Sequence, residues 1–280
     1  NCRLENLGGE LNAFTTKEDT TSHAPTLRSD FAKAVELITD VAFDSTYPER
    51  ELAKEREVIV DEINTYKDSP SDMIFDTFED MIFEGSELGH NILGTKAALA
   101  RHGTDSIRRF TGRTYTTDQM VFSSIGNFSV TTARDTAARY LAERHTPTRS
   151  FQRAVPAVTP AFEKVLNKHT HQVHCIVGAR AYDINDERRV PLSLLVNILG
   201  GPSANSLLNV LLREKNGLSY NIEASYSPYN DCGFVAIYFS SEHDNADQCR
   251  ELIARQIDLM RRETLSARRL SMAKKQFLAQ

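Results

Sequence analysis

Apolar positions along the chain change their period several times, and each change marks an element. Residues NCRLENLGG read as the last turns of a helix stopped at Gly8-Gly9. The stretches ELNAFTT and TTSHAP flank a polar turn, Lys17-Glu18-Asp19, and predict a hairpin. From Ser29, placed to cap a helix, Phe31, Ala34, Val35, Ile38, Val41 and Ala42 recur at three-to-four spacing, which predicts one buried helical face. Pro48 opens a second helix, ERELAKEREVIVDEINTY, and a third, SDMIFDTFEDMIFEG, follows the break at Ser69-Pro70-Ser71. Further on, DSIRRFTGRTY reads as helix, QMVFSSIGN as a buried strand and VTTARDTAARYLAERH as helix.

The pattern then lapses. Residues 146–161, TPTRSFQRAVPAVTPA, hold three prolines and no amphipathic period, which predicts an extended connection. The chain is expected to divide into a domain over 1–148, a linker over 149–162 and a second domain over 163–280. The second part opens with a strand, HQVHCIVGARAY, followed by the helices VPLSLLVNILGG and SANSLLNVLLREKNG, the latter stopped at Gly217. The strands LSYNIEASY and GFVAIYFSS come next, then helices from about Ala246 to Glu263 and from Ser266 onward. Strand, strand, helix, helix after Gly217 repeats the order after Gly9, so the expected architecture is a duplicated α+β unit.

Composition narrows the functional classes. Forty per cent of the 280 residues are apolar, enough for a core in each of two domains. The 33 basic and 38 acidic side chains give a net charge of -5 with no block of either sign, so nothing calls for nucleic acid or an anionic membrane. No apolar run approaches the roughly 18 residues that a membrane-spanning helix requires. Cys2, Cys175, Cys232 and Cys249 form no Cys-x-x-Cys pair, which suits reduced thiols and leans toward a reducing compartment such as the cytoplasm. Opening inside one helix and closing in another, LSARRLSMAKKQFLAQ, the sequence reads as an internal fragment, and any targeting segment would lie outside it.

Three groups of residues could carry chemistry. Glu55 and Glu62 lie two helical turns apart and share a stripe with Leu52, Ile59 and Tyr66. Such a stripe is expected to pack inward. Two readings are open: solvated surface glutamates, or inward carboxylates compensated by a metal or by catalytic hydrogen bonds. Val58 and Ile59 follow Glu55, and Thr65 and Tyr66 follow Glu62, at the positions where a pairing cation would stand. Arg213 and Tyr220 flank the Gly217 stop and cannot share one helix. In HTHQVH, His169 and His171 would share one face of a strand and offer a rival metal pair, although no carboxylate is arranged around them. Gly200-Gly201-Pro202-Ser203 before a helix lacks the lysine and spacing of a phosphate-binding loop.

The run EREVIVDE from Glu55 to Glu62, preceded by GGELNAFTTKEDTT and followed by LGHNILGT, resembles the pitrilysin/insulinase family of zinc metallopeptidases, including its two-domain bacterial and mitochondrial processing members. That resemblance implies a clamshell of two homologous α+β domains, each a mostly antiparallel sheet packed by helices, enclosing a peptide chamber. It implies zinc as cofactor, with Glu62 as one metal ligand and Glu55 as an accompanying acidic catalytic residue. Asn12 and Ala13 match positions that contact an extended peptide substrate added as a strand. Arg213 and Tyr220 match catalytic residues that reach the substrate and the oxyanion. The family's H-x-x-E-H motif, which carries two ligands and the general base, would fall about fourteen positions before Asn1. Zinc-dependent endopeptidase activity is therefore expected of the longer protein, with this chain alone inactive and free of zinc. The resemblance also implies a homodimer or a paired subunit, and it leaves open a non-catalytic partner subunit of the same fold.

Overall fold

The computed structural model describes residues 2–279 apart from His145 and Pro147. Two compact units emerge, Asn1–Asn64 with Ile92–Arg153, and Thr65–Asn91 with Ala154–Gln280. The chain is α+β in both its element content and its sheet type: every strand pairing is antiparallel.

In the first unit, α1 (Cys2–Glu5) leads into the hairpin of β1 (Asn12–Thr15) and β2 (Thr20–His23), paired Asn12↔His23 through Thr15↔Thr20. The polar turn closes as predicted, with Thr16 N–H donating to the Asp19 carbonyl at 2.8 Å. Helix α2 (Phe31–Phe43) buries Ala34, Val35, Leu37 and Thr39, and Leu4, Ala34 and Leu37 form a small core with Leu11 and Ala24. Ser29 does not cap this helix. A short 3₁₀ turn, Arg28–Asp30, precedes it, and the Ser29 hydroxyl instead donates to the Asp30 carboxylate at 2.9 Å. Helix α3 (Glu49–Asp68) begins in this unit.

The second unit takes the helix α4 (Pro70–Ile82), which carries the sequence expected as the third helix. The first unit resumes with the short α5 (Lys96–Leu99), α6 (Thr104–Thr114) and α7 (Val130–Leu141). Arg144 grips Asp44 with a two-pronged bond, Nη1 to Oδ1 at 2.8 Å and Nη2 to Oδ2 at 2.5 Å. That contact holds the Asp44 carboxyl below its ordinary pKa.

One expected strand is absent. Residues 120–127 of QMVFSSIGN form no strand, and Val121 and Ile125 are 94% and 99% exposed. A strand exists only when a neighbour satisfies its backbone groups, and among the described residues none pairs with this segment.

The second unit is organised by its sheet. Strands β3 (Val173–Ala181), β4 (Ser219–Pro228) and β5 (Gly233–Ser241) lie in the order β3-β5-β4, so β5 is central. Side chains alternate along it. Phe234 and Ala236 join Phe78, Ile82, Phe83 and Leu88 from α4 and the turn beyond it. Ile237 and Phe239 join Val196 and Leu199 of α8 (Arg189–Gly200), and Cys249 and Ile253 of α9 (Ala246–Arg262). The last helix is α10 (Ala267–Phe277). The strand's near-continuous apolar run thus reflects burial on both faces.

The stretch expected as a helix up to Gly217 is a π-helix over Asn209–Lys215. Leu208, just before it, and Leu212, within it, are both fully buried. Gly217 takes a left-handed φ of 61°, and the Leu218 N–H donates back to the Leu212 carbonyl at 2.8 Å.

Glycine at 178 explains how closely α4 approaches β3. A Cβ there would sit 2.4 Å from Phe78 Cζ and 2.5 Å from the Val235 carbonyl oxygen. Gly178→Ala should therefore cost about 1–3 kcal/mol of unfolding free energy. Gly112, inside α6, would meet nothing within 4 Å, and Gly112→Ala should add about 0.5–1 kcal/mol. Urea unfolding of both variants checks the opposite signs.

Candidate functional site

Helix α3 places Glu55 and Glu62 on one side, but that side is the outer one. Both glutamates are exposed, Leu52 and Ile59 are only half-buried, and Tyr66 is 46% exposed. The expectation of an inward stripe therefore fails. Of the helix only Ile63 is buried, one residue and so about 100° around from Glu62. The inner face runs through Arg56, Val60 and Ile63. Arg56 Nη2 donates to the His102 carbonyl at 2.8 Å, which explains how a cation can stand on that face. With so few apolar residues, α3 has only a narrow stripe to bury. Among the described residues neither Glu55 nor Glu62 is in an ion pair.

Asn12 and Ala13 stand on β1, one of two strands in a hairpin whose side chains are exposed throughout. The Asn12 carboxamide accepts the Ala13 N–H at 2.8 Å and donates to Glu10 Oε1 at 3.4 Å. Among the described residues β2 alone pairs with β1, whose other edge carries no strand.

Arg213 and Tyr220 belong to the second unit, and each sits on an irregularity. Arg213 is on the π-helix, with its Nε 3.2 Å from Glu214 Oε1 and both side chains about half exposed. Tyr220 is the extra residue of a β-bulge: Ser219 pairs with Ser241 and Asn221 with Ser240, which leaves Tyr220 with no partner on β5. Its side chain is 69% exposed. One-residue insertions of both kinds collect at functional sites, because they re-aim a side chain that regular geometry would point elsewhere. Sequence reasoning flagged these two residues through resemblance alone; nothing local in LLREKNGLSY announces a π-turn or a bulge.

The histidine run is arranged differently from the expected strand pair. His169 and His171 precede β3, which begins at Val173. His171 and His174 line an open pocket with Pro70, Thr170, Gln172 and Glu242. His174 Nδ1 lies 2.8 Å from the Tyr238 hydroxyl, and burial lowers its pKa. Burial raises the thiol of Cys175, a partly buried residue packed against the core, to about 11. Among the described residues, no three histidines, cysteines or carboxylates are grouped to hold a metal. Glu62 stands as a lone carboxylate among the described residues, short of the three or four donors that a zinc site gathers. Among the described residues no helix is long and apolar enough to cross a membrane.

Comparison with known proteins bears on the same residues. Residues 2–96 match the family model described as insulinase (peptidase family M16), and residues 104–277 match the peptidase M16 inactive domain. An uncharacterized zinc protease of Bacillus subtilis, YmxG, is 32% identical over 98% of this chain and 66% of its own length. Uncharacterized zinc proteases of Rickettsia bellii and Streptomyces coelicolor are 31% and 32% identical over 87% and 89% of this chain, and 59% and 56% of their own lengths. The chain thus spans less than two thirds of these relatives. The crystal structure of a peptidase M16 inactive domain from Pseudomonas fluorescens matches with a TM-score of 0.88 at 18% identity, over 98% of this chain and 67% of that one. A protease from Helicobacter pylori gives 0.88 at 16% identity, over 99% and 69%. At such identities the likeness is one of fold. The two family models together with the 32% identity to YmxG establish that this chain belongs to the insulinase family of peptidases, family M16.

Proposed function

We propose that this chain is part of a zinc-dependent endopeptidase that cleaves extended peptides. The observation that carries the reading is the carboxylate pair on α3: Glu55 and Glu62 stand two turns apart on one exposed side, without an ion-pair partner among the described residues. In the full-length protein Glu62 would offer one carboxylate to the metal, with the remaining ligands outside this chain. A bound zinc would supply Lewis acidity toward the scissile carbonyl. Glu55, two turns earlier on the same side of the helix, would accompany Glu62 as a second acidic residue at the site. The free edge of β1 at Asn12 and Ala13 would align an extended main chain by strand addition, a mode that selects conformation more than side chains. Arg213 would place a cation, and Tyr220 a phenol donor, where negative charge develops in the transition state. The longer protein would act as a homodimer or as one of a pair of subunits.

A non-catalytic partner subunit of the same fold is the second reading. It is favoured by the match of residues 104–277 to a domain described as inactive.

Glu62→Gln in the full-length protein should abolish peptide hydrolysis and lower bound zinc while leaving unfolding cooperative, because an amide oxygen is a poor zinc ligand of the same size. Full zinc content by elemental analysis together with undiminished turnover would remove Glu62 from the site. A full-length protein that never cleaves peptides nor binds zinc would favour the partner-subunit reading. Arg213→Ala and Tyr220→Phe should each lower kcat about tenfold or more with zinc content unchanged; parental rates in both would remove the two residues from the reaction. Residues 1–280 alone should neither bind zinc stoichiometrically nor hydrolyse an extended fluorogenic peptide. Chelator-sensitive cleavage by that chain would reveal a metal site elsewhere in it.

A further inference from the structure

The bulge at Tyr220 has a buried lock. From Pro228↔Gly233 to Asn221↔Ser240 the ladder between β4 and β5 runs without interruption, and it resumes at Ser219↔Ser241 with Tyr220 left over. Ser219 is 3% exposed. Its hydroxyl lies 2.9 Å from the Asn221 carbonyl oxygen and 2.8 Å from the Ser240 carbonyl oxygen. One hydroxyl thus spans both strands across the extra residue, and its single hydrogen is shared between carbonyls of the pair that borders the bulge. Packing holds it from either side, since Leu218 is 9% exposed and Ser241 fully buried.

The burial pattern shows what the bulge does. Ile222 and Ala224 are buried against the α8 side of the sheet, while Glu223 between them is exposed. Continued toward the N-terminus, strict alternation would turn Tyr220 onto the covered face of Ile222 and Ala224 and turn Ser219 outward. The observed order is the reverse: Ser219 is buried, and Tyr220 and Asn221 are both exposed. The inserted residue shifts the phase by one, which is the amount needed to move a side chain from one face to the other. A short side chain with a hydroxyl suits the inner position, where a carbonyl on each strand accepts from it.

We infer that Ser219 is a positioning residue, its buried hydroxyl locking the β-bulge that turns Tyr220 away from the covered face of the sheet and toward substrate. The substrate half of this inference rests on the role proposed above for Tyr220. The geometric half does not, so two measurements separate them.

The first needs no activity. Nitration of Tyr220, followed by peptide mass, should be rapid in the parent and in Ser219→Thr. It should be slowed about tenfold or more in Ser219→Ala, because the ring would turn toward the covered face. Equal nitration in Ser219→Ala overturns the lock. If Ser219→Ala does not fold, Ser219→Cys serves in its place, since the thiol fills the volume and donates only weakly.

The second is steady-state kinetics of the full-length protein with an extended peptide. Ser219→Ala should lower kcat about tenfold to a hundredfold through misplacement of the phenol, with KM within about twofold of the parent and Ser219→Thr restoring the rate. Ser219→Ala combined with Tyr220→Phe should be no slower than Tyr220→Phe alone, as expected of residues acting through one group. Additive losses, or a Ser219→Ala rate equal to the parent while Tyr220→Phe is slow, overturn the positioning role. A parental rate in Tyr220→Phe overturns the role of Tyr220 and this inference with it, while the nitration result still reports on the lock.

Discussion

The second unit depends on the burial of β5 from both sides. Phe234 and Ala236 meet the aromatic side chains of α4, and Ile237 and Phe239 meet α8 and α9, so a single strand joins two apolar layers. Phe78 and Phe83 approach Phe234 edge-on, with centroids 5.6 and 5.9 Å away. These contacts add orientation to the area buried. Slipping β5 by one residue would exchange its two faces at once, which fixes the register of its neighbours as well. Everything placed by β4, Tyr220 included, inherits that register.

A sheet so firmly registered can hold a local defect without losing its order, and the functional candidates of this unit sit at such defects. The π-helix at Asn209–Lys215, the left-handed turn at Gly217 and the bulge at Tyr220 follow one another within a dozen residues. Each departs from the regular hydrogen-bond pattern, and each is anchored by buried neighbours: Leu208 and Leu212 beneath the π-turn, Ser219 beneath the bulge. Two exposed polar side chains result, one cationic and one phenolic, carried on backbone anchored by buried neighbours.

The first unit has a different balance. Its core is small, its hairpin is exposed along its whole length, and α3 is charged along most of its surface. Glu55 and Glu62 remain on that surface at little cost, since solvated carboxylates need no compensation. The physical case for them rests on their shared face and the lack, among the described residues, of a paired cation, and not on burial.

The amino-acid sequence determined the α+β class, the hairpin at Asn12–His23, most helices, and the strands of the second unit, because each of these is written in a local period or a turn signal. Family membership was legible too, in the run from Glu55 to Glu62 and its flanks. Tertiary structure decided what no local period encodes. It turned the Glu55–Glu62 stripe outward, since the facing of an amphipathic helix is set by where a neighbour such as His102 can receive Arg56. It left residues 120–127 without a strand, since an apolar run becomes a strand only beside a partner. It assigned α4 to the second unit's sheet, about 90 residues further along the chain, through the space left by Gly178. And it made Tyr220 a bulge residue, because strand phase is a property of two strands paired and cannot be read from either alone.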